Sequence, residues 1–118
     1  VIATTLTLQM LTIEHYDRHG TLPPKTEVAY WLSSEQETLG TRVQMDDAGN
    51  IVIDLHAHGD AALRGHQLAL IPHRTTNGKL VYVCGRASPP VGAQPLPGAL
   101  HASTTDLPEA ALPNNCRS

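Results

Sequence analysis

Apolar positions first recur with the period of a helix and later with that of a strand. Ile2, Leu6, Met10 and Ile13 stand at spacings of four, four and three, which stacks them on one face of an α-helix over 1–19. Gly20 supplies a C-cap signal and Pro23-Pro24 forbids continuation. The start carries no capping residue with an acidic first turn, and the periodicity already runs at Val1. A stop without a start predicts a helix that continues upstream of this sequence.

Residues 20–40 read as an irregular connector, with Trp31 and Leu32 packed and the polar run 33–38 exposed. The period then changes to two. A strand is expected over 41–45, a turn at Asp46-Asp47-Ala48-Gly49-Asn50, and a stronger strand over 51–57 with Ile51, Ile53 and Leu55 on one face. After a connector from His58 to Gly65, Leu68, Leu70 and Pro72 alternate with polar or small residues in a third strand. Asn77-Gly78 between two alternating runs signals a type I′ hairpin, since both central residues need φ > 0. The fourth strand is 80–84, and three turns joining four strands make an antiparallel meander. The composition shifts at Gly85. Pro89, Pro90, Pro95, Pro97, Pro108 and Pro113, with Gly92 and Gly98, exclude any regular element and predict a long loop, which in a compact domain is functional or disordered. The fold class is α+β: one helix covering a four-stranded antiparallel sheet, in a single domain of 118 residues.

Composition narrows the class. With 41% hydrophobic and 16% charged residues the chain is not intrinsically disordered. No Phe, one Trp and three Tyr leave an aliphatic core. A net charge of −3 and a pI near 6.1 give no general reason to expect nucleic acid as partner. No apolar run approaches the ~20 residues that cross a bilayer. The chain begins at Val1 without a signal-peptide pattern, so an upstream segment is expected to have been removed.

Cys84 and Cys116 admit two readings. Two separate thiols suit a cytosolic protein, whereas one disulfide suits a small domain with a thin core in an oxidising compartment. The place of Cys116, two residues from the end of a Pro-rich tail, favours the disulfide, which would remove roughly 3–4 kcal/mol of unfolded-chain entropy.

The order of elements resembles the headgroup of type IV pilins of the IVa kind. Glu14-His15-Tyr16-Asp17-Arg18-His19-Gly20-Thr21-Leu22-Pro23 is similar to the end of the family's helix. Ala61-Ala62-Leu63-Arg64-Gly65-His66-Gln67-Leu68-Ala69-Leu70-Ile71-Pro72 resembles its Gly-led strand ending in Pro. Gly78-Lys79-Leu80-Val81-Tyr82-Val83-Cys84 resembles the next strand, and Leu112-Pro113-Asn114-Asn115-Cys116-Arg117 the Leu-Pro-x-x-Cys ending. The likeness spans nearly the whole chain. Tyr82 stands where the family commonly has Trp, and the family's apolar half-helix, with Glu at its fifth position, lies outside this sequence. The resemblance implies a filament subunit anchored in the inner membrane through that half-helix before assembly into an extracellular bacterial pilus. It also implies a Cys84–Cys116 disulfide bounding a surface-displayed loop over 84–116. Partners so implied are other pilin subunits, and a host or surface receptor or DNA; no cofactor is implied.

Chemistry-like signals give way to plainer readings. His56-Ala57-His58-Gly59-Asp60 places two His on one side of a strand with an Asp nearby. It resembles the His-x-His-x-Asp of metallo-β-lactamase-type hydrolases, but Ala61 replaces that family's next His and the chain is too short for its fold. Two surface histidines at a strand end are the reading preferred. Ser33, Ser34, Ser88 and Ser103 lack a nucleophile turn, Asp46-Asp47 reads as a turn before a Ca²⁺ site, and no Gly-rich phosphate loop is present. Arg64, His66, His73, Arg74, Lys79 and Arg86 fall in or beside strands three and four, where a DNA-binding edge of Arg64, Arg74, Lys79 and Arg86 is conceivable. The loop adds only Arg86 against Asp106 and Glu109, with no aromatic for base stacking. A solvated strand edge is the simpler reading. Ser118 is a candidate for an O-linked glycan of the kind some pilins carry. The expected function is thus a structural pilus subunit serving adhesion or motility, with a DNA-binding minor pilin and a type II secretion pseudopilin as alternatives, and no enzyme.

Overall fold

A computed structural model describes residues 2–24, 42–55, 61, 64–100, 104–108, 112 and 116–117. Helix α1 spans Ile2–His19, and the strands are β1 Arg42–Met45, β2 Ile51–Asp54, β3 Gln67–Arg74, β4 Leu80–Cys84 and β5 Gln94–Pro95. All pairings are antiparallel, in the order β1-β2-β3-β4, with β5 added to β3. The meander is therefore the expected one, but its β3–β4 hairpin is not the expected type I′ turn. Gly78 donates its N–H to the Thr75 carbonyl at 2.9 Å, so the turn centres on Thr76 and Asn77, Gly78 follows at φ +79°, and Arg74 pairs with Leu80. The Pro-rich stretch does contain a short strand, contrary to the sequence reading, because Pro95 sits opposite His73 at an edge that asks it for no donor.

Register assigns the faces. Met45, Ile51, Leu70 and Cys84 lie in one row and Val43, Ile53 and Leu68 in the next. These residues, with Leu8 from α1 and Leu107, Leu112 and Cys116 from the loop, form the core. The helix meets this face through Leu8 and Thr12, which are 2% and 0% exposed. Four residues apart, they stack on one side of the cylinder. Met10 lies two residues round from Leu8 and is 70% exposed, so the apolar spacing through Met10 does not mark the side of α1 that covers the sheet. A polar residue takes the buried place because the Thr12 hydroxyl donates to the Leu8 carbonyl at 2.7 Å, which removes the cost of an unpaired group.

The ends of the elements lock together near the β1–β2 turn. Gly20, at φ +70°, closes α1 by donating its N–H to the Tyr16 carbonyl at 2.8 Å. Leu22 then packs over Gly49, where a Cβ would stand 3.1 Å from the leucine methyls. Asp46 organises the turn: its carboxylate accepts from the N–H groups of Ala48 and Asn50 and from the Asn50 amide. Trp31, Leu32, Ser33, Ser34, His56, His58, Asp60, Ser103, Glu109 and Ser118 lie outside the described residues.

Tyr82, on the core face of β4, donates its hydroxyl to the Gly49 carbonyl at 2.8 Å. Burial pushes its phenol well above the ordinary tyrosine range; hydrogen bonding with Thr12 opposes the rise and the Asp46 carboxylate adds to it. A tyrosine in the unfolded chain ionises near pH 10. The folded state, which holds the neutral phenol, is thus fully favoured below that pH and loses stability as pH climbs above it. Spectrophotometric titration should show one of the three tyrosines ionising only as the protein unfolds, and Tyr82→Phe should abolish that late phase. Three tyrosines titrating together near pH 10 in folded protein would contradict this placement.

The disulfide-bounded loop as candidate functional site

Cys84 ends β4 on the core face and is joined to Cys116, with Cα atoms 4.6 Å apart and a sequence separation of 32. Gly85 makes the close approach feasible. Its φ is +60°, and a Cβ there would stand 2.9 Å from the Cys116 carbonyl oxygen, closer than real contacts allow. Arg86 donates its N–H to that same carbonyl at 2.9 Å, and Ala87 turns back to the Cys84 carbonyl at 3.1 Å. Two backbone bonds therefore flank the disulfide.

From there the loop travels round the central strand. Residues 88–92 are exposed and end in a turn, Ala93 N–H to the Pro90 carbonyl at 3.0 Å, with Val91 fully exposed at its tip. β5 then joins β3 beyond the end of β2, opposite His73 and Arg74, and Leu96 donates to the Pro72 carbonyl at 3.1 Å. Pro72 is fully buried yet breaks no bond between β3 and β4. Its nitrogen and carbonyl share an orientation toward the β5 side, where no donor from residue 72 is required.

The loop next crosses the β1–β2 turn, where Asn50 is 1% exposed. The Asn50 amide donates to the Gly98 carbonyl at 3.1 Å and its oxygen accepts the Leu100 N–H at 2.9 Å. Pro97-Gly98, with Gly98 at φ +83°, has the composition of a type II turn. Residues 104–106 reach the opposite edge of β3, beyond the end of β4. There the Thr105 hydroxyl accepts the Ala69 N–H at 2.9 Å, the Asp106 carboxylate accepts the Gln67 N–H at 2.6 Å, and the Asp106 N–H donates to the Gln67 carbonyl at 3.2 Å.

Crossing in this way, the loop lines the second face of the sheet. Ala69, Ile71, His73 and Val83 are all buried there, so β3 is covered on both faces. An open cavity of about 230 Å³ lies between Ile71, His73 and Val83 on the sheet and Ala87, Pro89, Pro95 and Leu100 on the loop.

The basic residues fall into two groups. Arg74 and Lys79 stand at the β3–β4 hairpin; Arg74 lies over Gly78, and Lys79 Nζ is 3.9 Å from Asp17 of α1. Arg64 and Arg86 stand at the far end of β3, roughly 23 Å away at the rise of a strand. Arg86 is also engaged internally, donating to the Thr105 carbonyl at 3.2 Å. The sequence reading took Asn50 for a turn residue and Asp106 for an offsetting charge and did not name Thr105; the side chains of all three fasten the loop.

The chain matches the family model described as Pilin, a bacterial filament protein, over residues 2–117. It belongs to that pilin family, and is therefore a structural subunit that assembles with other pilin subunits in a surface filament. Among curated proteins and among solved structures, none matches the chain significantly. Among the described residues no helix is long and apolar enough to cross a membrane.

Two stability outcomes follow from the fastening. Asn50→Ala takes the partner from a part-buried donor and an acceptor of the loop and should lower unfolding free energy by about 1–3 kcal/mol. Hydrogen exchange at Leu100 should rise with it; unchanged exchange would show that Asn50 does not hold the loop. Replacing both cysteines by Ser should cost roughly 3–4 kcal/mol in urea unfolding, from the entropy the unfolded chain regains without the crosslink. A loss below about 1 kcal/mol would mean that the hydrogen bonds alone order the segment.

Proposed function

We propose that the chain is the headgroup of a type IV pilus subunit whose displayed surface is the loop over 84–116, in a filament serving adhesion or motility. In this reading 1–19 is the C-terminal half of the pilin helix, 20–40 the connecting loop and 41–84 the sheet. The observation that carries the proposal is the fastening of the loop to both edges of β3 together with the Cys84–Cys116 bond. Such a loop presents an exposed tip at 88–92 while its ends stay fixed, which suits a surface that meets other molecules. The disulfide also supports a pilus subunit over a secretion pseudopilin, which typically lacks it. The division of Arg64 and Arg86 from Arg74 and Lys79 gives no continuous basic stripe, and so favours a structural role over DNA capture.

Filaments sheared from the source cells test the proposal. Mass spectrometry should find this chain in them, carrying an upstream apolar segment of roughly 20 residues or more, the length a membrane anchor needs. Antibody against residues 88–92 should decorate the intact filaments along their length. A chain absent from sheared filaments, or a tip reached by antibody only after the filaments are dissociated, overturns it.

A further inference from the structure

The second face of the sheet and the loop that crosses it bound the open cavity of about 230 Å³. Ile71 and Val83, opposite each other on β3 and β4, form its floor. Leu100 forms a wall, and Pro89 and Pro95, both exposed, stand at its rim. None of these side chains carries a polar atom. His73 is the exception: it lines the same cavity, is 8% exposed, and stands opposite Pro95 where β5 joins the sheet.

One nitrogen of the His73 ring is committed and the other is not. Nδ1 lies 3.1 Å from the Ile71 carbonyl oxygen. A carbonyl only accepts, so Nδ1 carries the proton and the lone pair of the neutral ring sits on Nε2. Among the described residues none donates to Nε2, and that atom is not sealed from solvent. Its lone pair therefore opens on the space that His73 lines. An acceptor in such a place costs free energy when it lacks a donor. A water there would meet one acceptor among apolar side chains, whereas a well-held buried water has about three partners. Displacing a poorly held water with a mostly apolar molecule gains affinity.

Size and shape narrow the occupant. A cavity of about 150 Å³ holds benzene, so this one admits an aromatic ring with a substituent or a fused second ring. A rigid ring also loses less freedom on binding than a flexible chain of the same size. We propose that the cavity binds a small neutral aromatic molecule with one hydrogen-bond donor, of the indole or phenol kind, whose N–H or O–H reaches Nε2 of His73. The bound ring touches sheet and loop together, and so ties the disulfide-bounded loop to β3 beside its exposed tip at 88–92.

The test is a titration of the full, disulfide-closed chain at about pH 8, where imidazole is neutral. The probes are indole and, separately, benzofuran, a ring of the same shape without the N–H. Phenol and toluene make a second such pair. Indole and phenol should shift the methyl resonances of Ile71, Val83 and Leu100 saturably at millimolar concentration. Benzofuran and toluene should bind about tenfold more weakly, the worth of one hydrogen bond to a buried acceptor. His73→Leu removes the acceptor and keeps an apolar side chain in its place, so indole should then bind no better than benzofuran. The comparison in the parent chain stands whether or not His73→Leu folds. No saturable shift at the three residues, equal affinities of indole and benzofuran in the parent, or a preference for indole that survives His73→Leu would overturn the proposal.

Discussion

The buried backbone of β3 sets the terms for the rest of the molecule. β3 has eight residues, while β2 has four and β4 has five. β2 pairs only with its first half, Gln67 to Leu70, and β4 only with Leu70 to Arg74. Each edge is therefore left bare over about half its length, at opposite ends on the two sides. A buried, unpaired N–H or C=O costs on the order of 1–3 kcal/mol. A helix on one face cannot supply those partners, because its own backbone groups are spent within it. The Pro-rich loop supplies them: residues 94–96 beside His73, Arg74 and Pro72, and residues 104–106 beside Gln67 and Ala69.

This explains why the loop can be rich in proline and still be ordered. It pairs at a few backbone positions, and Pro89, Pro90 and Pro97 fall between them, where no donor is missed. Gly85 and Gly98 are different: each sits at positive φ, and a Cβ would stand 2.9 Å from Cys116 or Ala48 respectively. Between these fixed points the exposed residues 88–92 make few demands on the fold. A surface that displays side chains without relying on them for stability is a natural place for contact with other molecules. The disulfide closes the far end of the belt where Leu107 and Leu112 enter the core.

Much of this was legible beforehand. The change of period from 3.6 to 2 and the Gly20 stop are local signals, and the helix and strands they announced are present; Asn77-Gly78 marked the hairpin but not its type, since the turn centres on Thr76 and Asn77. The pairing of Cys84 with Cys116 was legible from position and resemblance together. The side of α1 that faces the sheet was not legible, since Met10 looks outward while Thr12 is buried. Apolar spacing counts Met and discounts Thr, yet Thr12 cancels its own polarity through a bond to Leu8, which periodicity cannot register. The fasteners of the loop were hidden for another reason. Asn50 and Thr105 act across 48 and 36 positions of sequence, and no local pattern distinguishes a bracing Asn from one that merely turns the chain. The basic residues weighed as an edge are close in sequence, but the length of β3 lies between Arg64 and Arg74.

The outward turn of Met10 bears on polymerisation. A filament grows through contacts between unlike surfaces, which repeat without closing into a ring. α1 has committed Leu8 and Thr12 to its own sheet, and Met10 remains 70% exposed on another side of the same cylinder. Burying a side chain of that size on assembly is worth roughly 1.5–3 kcal/mol, gained only when a neighbouring subunit covers it. The sheet's second face is already occupied by the subunit's own loop, with Ala69, Ile71 and Val83 buried beneath it. That face therefore has little left to offer a neighbour. Among the described residues of the helix and the sheet, the exposed large apolar side chain is on the helix, the side from which a neighbour has apolar surface to gain.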